Sequence, residues 1–174
     1  MLIYVVGPSK AGKTEATKAL IADPKAFGIC QPTVRIDLDE VLGPGNRGMG
    51  QKAVDYCRSI SLNENTVVLV DVGAGQLVST EFRAYLRRLP AYPDAVVVVN
   101  CGEEAFRRRH GANAVNEVGR YYGKGSLEPL WIEAAESARI VDSSGQYAPT
   151  EWARTLGMAV RRAATKCSGP TPLT

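Results

Sequence analysis

Histidine is almost absent from this chain: His110 is the only one among 174 residues. The four cysteines, Cys30, Cys57, Cys101 and Cys167, are scattered, with no C-x-x-C pair. A structural or catalytic zinc site therefore has no clustered ligands to draw on. The thiols read as reduced groups of a cytoplasmic protein. Long apolar runs are missing as well, and none approaches the ~20 residues needed to cross a bilayer. The opening MLIYVV is short and has no basic leader, so no signal peptide is expected. Charge of one sign is also scarce. A net charge of +3 suits an anionic ligand such as a nucleotide, but it is too small to point to nucleic acid or a membrane surface as partner.

What is present is the balance of a globular domain, 45% hydrophobic and 22% charged. The length allows a substantial core without metal or disulfide staples. A single domain is expected over residues 1–167, as a monomer or homodimer. Residues 168–174 carry two prolines and read as a flexible tail.

Strand-like and helix-like segments alternate along the chain. Leu2 to Val6 is an apolar run that ends at Gly7, as a buried strand does. Gly12 to Ala22 reads as a helix closed by Asp23-Pro24. Thr33 to Ile36 is a weaker strand, followed by the acidic cluster Asp37-Leu38-Asp39-Glu40. Gly43 to Gly50 reads as a loop or a movable flap, and Gln51 to Ile60 as a helix. Thr66 to Val70 and Ala95 to Val99 are strong β-branched strands. Between them stand a glycine loop, Asp71 to Gln76, and a helix over Ser79 to Leu89. Glu103 to Arg109 starts a helix, and His110 to Gly125 reads as a lid. Leu127 to Ala138 is helical, Arg139 to Val141 a short strand, and Pro149 to Ala164 the last helix. The pattern predicts an α/β three-layer fold: a parallel sheet of about five strands with helices on both faces and ligands at the strands' carboxyl ends.

Gly7-Pro8-Ser9-Lys10-Ala11-Gly12-Lys13-Thr14 matches G-x-x-x-x-G-K-[ST], and it sits between a strand and a helix, where a phosphate loop must. Glycines let the backbone curl so that the N–H groups of Gly7, Ser9, Ala11 and Gly12 can face phosphate oxygens. The following helix adds its positive end. Lys13 is expected on the β- and γ-phosphates of ATP, and the Thr14 hydroxyl on Mg²⁺.

Asp37 and Asp39 are separated by one residue. In extended chain both would face the phosphate site, one serving Mg²⁺ and the other accepting a proton from a substrate hydroxyl. The alternative is an acidic helix start with Asp37 as cap. Asp71 ends an apolar strand, as a magnesium-supporting acid does, and so competes with Asp37 for the metal role. Gly73 and Gly75 are placed to bring backbone N–H groups near a ligand.

GPSKAGKT, then DLD, then GAG, then PLWIEAAESARIVDSSG stand in the order of the shikimate kinase motifs, and the sequence resembles that family over roughly Met1 to Trp152. The resemblance implies a nucleoside-monophosphate-kinase-like fold and an alcohol-phosphorylating enzyme using ATP and Mg²⁺. It places Lys13 and Thr14 on phosphate and magnesium, Asp37 on the magnesium side, and Asp39 as the base that binds the substrate hydroxyl. Gly73, Ala74 and Gly75 become the substrate loop, with alanine where the family has its central glycine. Arg58 becomes a substrate-carboxylate arginine, and Val141 to Gly145, with Asp142, the loop beside adenine. Leu127 and Glu128 stand where the family carries a second carboxylate-binding arginine. Such a carboxylate needs a bidentate fork that leucine lacks, so the acceptor is left open as a small hydroxyl-bearing molecule.

Arg107, Arg108 and Arg109 end a helix at the expected lid. One of them, Arg109 by preference, is expected to stabilise the transferring phosphoryl group, and Arg107 to contact the adenine side. Arg120 is a further lid candidate near the substrate, while His110 reads as a loop residue. A reading of another class stays open, a nucleotide-binding switch or ATPase module with no small-molecule acceptor.

Overall fold

Five short runs of β-branched and aliphatic residues form one parallel sheet. They are β1 (Leu2–Val6), β2 (Thr33–Asp37), β3 (Val67–Val72), β4 (Val96–Asn100) and β5 (Arg139–Asp142). The computed structural model describes residues 1–43, 50–61, 65–89, 95–113, 118, 139–145 and 149–167. The strand order is β2-β3-β1-β4-β5, and every neighbouring pair is parallel. Strands covered on both faces need no polar side, and β3 is buried at every position.

The helices are α1 (Lys13–Ala22), α2 (Leu38–Leu42), α3 (Gly50–Ser59), α4 (Ala74–Leu77), α5 (Thr80–Arg87), α6 (Glu103–His110) and α7 (Pro149–Cys167), with 3₁₀ turns at Pro24–Phe27 and Gly111–Asn113. The chain leaves β1 toward β2, but leaves β2 and β3 in the other direction. Right-handed crossovers then place α1 on one face and α3 and α5 on the other. α1 packs against α7, and α3 against α5. This is the expected three-layer α/β architecture. Among the described residues no helix is long and apolar enough to cross a membrane.

The core runs through the sheet: Ile3, Tyr4, Val5, Val6, Leu69, Val70 and Val97 are fully buried, with Leu20, Phe82, Phe106 and Leu156 packed on them from the helices. Tyr4 carries a polar group into this core. Its hydroxyl pairs with that of Tyr85 at 2.6 Å, and burial pushes its ionisation far above the ordinary tyrosine range.

Three expectations are corrected. β3 continues through Asp71 and Val72, and Ala74–Leu77 is a helical turn, so Asp71 to Gln76 is not an open glycine loop. The β-branched run TVVLVDV propagates further than its glycines suggest, because both faces of β3 are covered. The acidic cluster is not extended beyond Asp37. Asp37 Oδ1 accepts from the N–H groups of Asp39 and Glu40 and caps α2. His110 is the last residue of α6, its ring stacked on Phe106 one turn earlier. The expected helix over 127–138, the tail over 168–174 and most of the expected lid lie outside the described residues.

Candidate phosphate and acceptor site

The crevice of an open parallel sheet lies where neighbouring strands send their chains in opposite directions. Here that is between β1 and β4, and the Gly7 to Thr14 loop rises from it. Two glycines are required there by geometry. A Cβ on Gly7, whose φ is +148°, would lie 2.0 Å from the Val99 carbonyl oxygen. A Cβ on Gly12, at φ +98°, would lie 2.3 Å from the Trp152 ring. Lys10 adopts φ 55°, so the backbone is curled as a nest of N–H groups requires. Lys13 opens α1 and folds back over the loop, donating to the carbonyls of Gly7 at 3.0 Å and Pro8 at 2.9 Å. Burial lowers its pKa, and the carboxylates of Asp71, Asp39 and Asp37 work against that shift. The ammonium is thus held within the field of all three acids.

Arg109 straps the loop from outside. Its guanidinium donates to the carbonyls of Lys10 and Ala11, both at 3.2 Å, and to the Ser143 carbonyl. It also lies 4.9 Å from the centroid of the Trp152 ring. The Ser143 hydroxyl donates to the Ala11 carbonyl, and it lies 2.9 Å from the Asn100 carbonyl. In this arrangement the fork of Arg109, expected at the transferring phosphoryl group, is engaged by loop carbonyls. Arg107 and Arg108 pair with Glu103 and Glu104 one turn back on α6, and Arg107 is half exposed. Asp142 accepts from the Ser144 N–H at 2.9 Å, and hydrogen bonding from the Ser144 side chain, then from that N–H, holds its carboxyl below the usual range. It shapes the turn after β5.

Asp39 stands on α2. Its Oδ1 accepts from Gln76 Nε2 at 2.8 Å, and its carboxylate lies where a Cβ on Gly73 would come within 2.7 Å of Oδ2. The structure therefore brings Asp39 and Gly73 together at the carboxyl ends of β2 and β3. Ala74 and Gly75 are taken into α4, so only Gly73 keeps the close approach expected of that loop.

The structure does not bring Arg58 to the loop. It lies in the last turn of α3, exposed, with its guanidinium 5.8 Å from the centroid of the Tyr85 ring. A crossover helix runs back against the strands, so its last turn sits at their amino ends, opposite the phosphate loop. The short spacing from Asp39 hides this, because α3 begins only at Gly50. Arg120 lies outside the described residues.

Sequence reasoning passed over Arg35. It lies on β2 two residues before Asp37, on the same face of the strand. Its Nε donates to Asp71 Oδ2 at 2.8 Å and lies 3.1 Å from Thr17 Oγ1. Its Nη2 contacts Asp37 at 2.5 Å. Asp37 and Asp71 are register partners across β2 and β3, so the arginine answers two adjacent carboxylates. Burial raises the Asp71 pKa, while Arg35 and then Lys13 oppose the shift. The available signal was a charged residue inside a strand, in step with an acid. Gln76, buried and holding Asp39, was also missed.

Comparison of the chain with protein-family models gives no match, and comparison with curated proteins gives none of significance.

Proposed function

We propose that the chain is an ATP-dependent small-molecule kinase that transfers a γ-phosphoryl group to a substrate hydroxyl. The observation that carries this reading is the placement of Asp39. Its carboxylate is fixed by Gln76 and Gly73 beside a phosphate-type loop, and it acts electrostatically on Lys13. ATP, when bound, supplies the phosphoryl group and its leaving group.

The chain's own residues do the rest. Backbone N–H groups from Gly7 to Lys13 and the start of α1 hold the phosphates. The Lys13 ammonium exchanges its loop carbonyls for phosphate oxygens and neutralises charge there. Asp39 orients the acceptor hydroxyl. As the hydroxyl oxygen bonds to phosphorus, the β,γ-bridging oxygen departs with ADP and the hydroxyl proton passes to Asp39. Arg109 is assigned a positioning role, holding the loop's curvature through the Lys10 and Ala11 carbonyls. A cytoplasmic location accords with this reading, with Cys30, Cys57 and Cys101 outside any disulfide.

The test is ADP release against a panel of hydroxy acids, sugars and nucleosides that includes shikimate. Stimulation by at least one acceptor is expected. ADP release that no acceptor stimulates would instead identify a nucleotide switch or ATPase.

A further inference from the structure

Thr14, Asp37 and Asp71 are the three side chains from which the sequence builds a magnesium site, yet all three converge on one guanidinium nitrogen. Arg35 Nη2 lies 2.5 Å from Asp37 Oδ2 and 2.8 Å from Asp71 Oδ2, and 3.4 Å from Thr14 Oγ1. Magnesium takes oxygen ligands at about 2.1 Å in near-octahedral geometry. A cationic nitrogen within hydrogen-bond reach of the same three oxygens occupies that position.

The other valences are spent as well. Asp37 Oδ1 caps α2, and Asp71 Oδ2 also takes bonds from Thr17 Oγ1 and Arg35 Nε. Asp71 Oδ1 is buried without a hydrogen bond, a single oxygen where the ion needs several. Among the described residues no three His, Cys, Asp or Glu side chains are grouped to hold a metal. The residues as arranged do not fit the ion.

We propose that Arg35 takes the structural place of the divalent cation, so that this phosphate site binds nucleotide without magnesium. The inference rests on the nucleotide reading above. Its physical basis is charge. Lys13 and Arg35 offset Asp37 and Asp71, which leaves Asp39 as the one uncompensated carboxylate of the three acids around Lys13. Arg35 and Asp71 are 9% and 3% exposed, so bulk salt screens them little. A guanidinium is always protonated and is covalently tethered, and unlike a metal ion it cannot be removed by a chelator. Without Arg35 the two carboxylates beside the loop would repel the nucleotide unless a cation from solution screened them.

Calorimetric titration of ADP into the full chain, in excess Mg²⁺ and in excess EDTA, tests the inference by binding alone. The wild type is expected to differ by less than about threefold between the two conditions. Arg35→Met is expected to bind at least about tenfold more weakly in EDTA and to recover in Mg²⁺. A tenfold or greater loss for the wild type in EDTA overturns the inference while leaving the nucleotide reading intact, and so does an Arg35→Met variant indifferent to Mg²⁺. An absence of ADP binding to the wild type under either condition overturns the nucleotide reading, and this inference with it. Circular dichroism checks the fold of the variant. Should it not fold, the wild-type pair of titrations decides.

Discussion

The phosphate loop and the acceptor side stand next to each other at the carboxyl ends of the strands, but they are held in different ways. The loop is gripped on several sides: by the Val99 backbone under Gly7, by Trp152 against Gly12, and by Arg109 and Ser143 on its carbonyls. The described acceptor side hangs on fewer bonds, the cap at Asp37 and the Gln76–Asp39 pair. Gly43, which ends α2, has none of the described residues within 4 Å of where its Cβ would be. On the proposed kinase reading, a part common to every turnover would gain from being built rigidly before the substrate arrives. A part that had to match one particular acceptor would be set by a few adjustable side chains.

The comparison can be broken most directly at Asp39. Asp39→Asn is expected to lower acceptor-dependent phosphoryl transfer by roughly a thousandfold while leaving ADP affinity unchanged. A coupled ADP-release assay alongside calorimetry measures both, and retained transfer would remove Asp39 from the chemistry.

A pair of glycine substitutions comes next. Gly7→Ala drives a Cβ into the Val99 carbonyl at a φ hostile to side chains. It should cost roughly 3 kcal/mol, seen as a Tm drop of about 6–12 °C. Among the described residues Gly43→Ala meets no neighbour and carries the backbone strain of φ +76°, about 1 kcal/mol. Equal losses in thermal melts would show that the two regions do not differ in rigidity.

Arg109→Met keeps most of the side-chain volume over Trp152 but removes the fork from the loop carbonyls. Nucleotide affinity is expected to weaken about tenfold, with little change in the acceptor KM. A KM effect confined to the acceptor would place Arg109 on the wrong side of the comparison. The smallest effect belongs to Gln76→Met, which fills the same space without donating to Asp39. Transfer should fall about fivefold at unchanged ADP affinity, and a matching loss of ADP binding would tie the two regions together.

The fold was largely legible because its signals are local. Val67–Val72 and Val96–Asn100 are β-branched and apolar, and the alternation of strands with helices permits few arrangements. The curled Gly7 to Thr14 loop between β1 and α1 was legible for the same reason, since its spacing is contiguous in sequence. The acidic cluster was only half legible. Extended chain and helix cap are both open to D-L-D-E, and the choice depends on whether the N–H groups of Asp39 and Glu40 find another acceptor. The position of Arg58 was not legible, because the distance from Asp39 in sequence says nothing about which end of a crossover helix faces the loop.

By itself the sequence determined an α/β chain with a parallel sheet and a lysine-bearing, glycine-rich loop at the mouth of its first strand, since each of these is written within a dozen neighbouring residues. The tertiary structure alone decided what surrounds that loop. Trp152 on α7, Ser143 after β5 and Arg109 on α6 reach it from 98 or more residues away in several of their bonds. Arg35 meets Asp71 only because β2 and β3 pair in the register that sets Asp37 beside Asp71. The physical reason is that a buried charge is stable only next to its partner, and which charges become neighbours is fixed by strand register and helix direction, properties no local stretch of sequence contains.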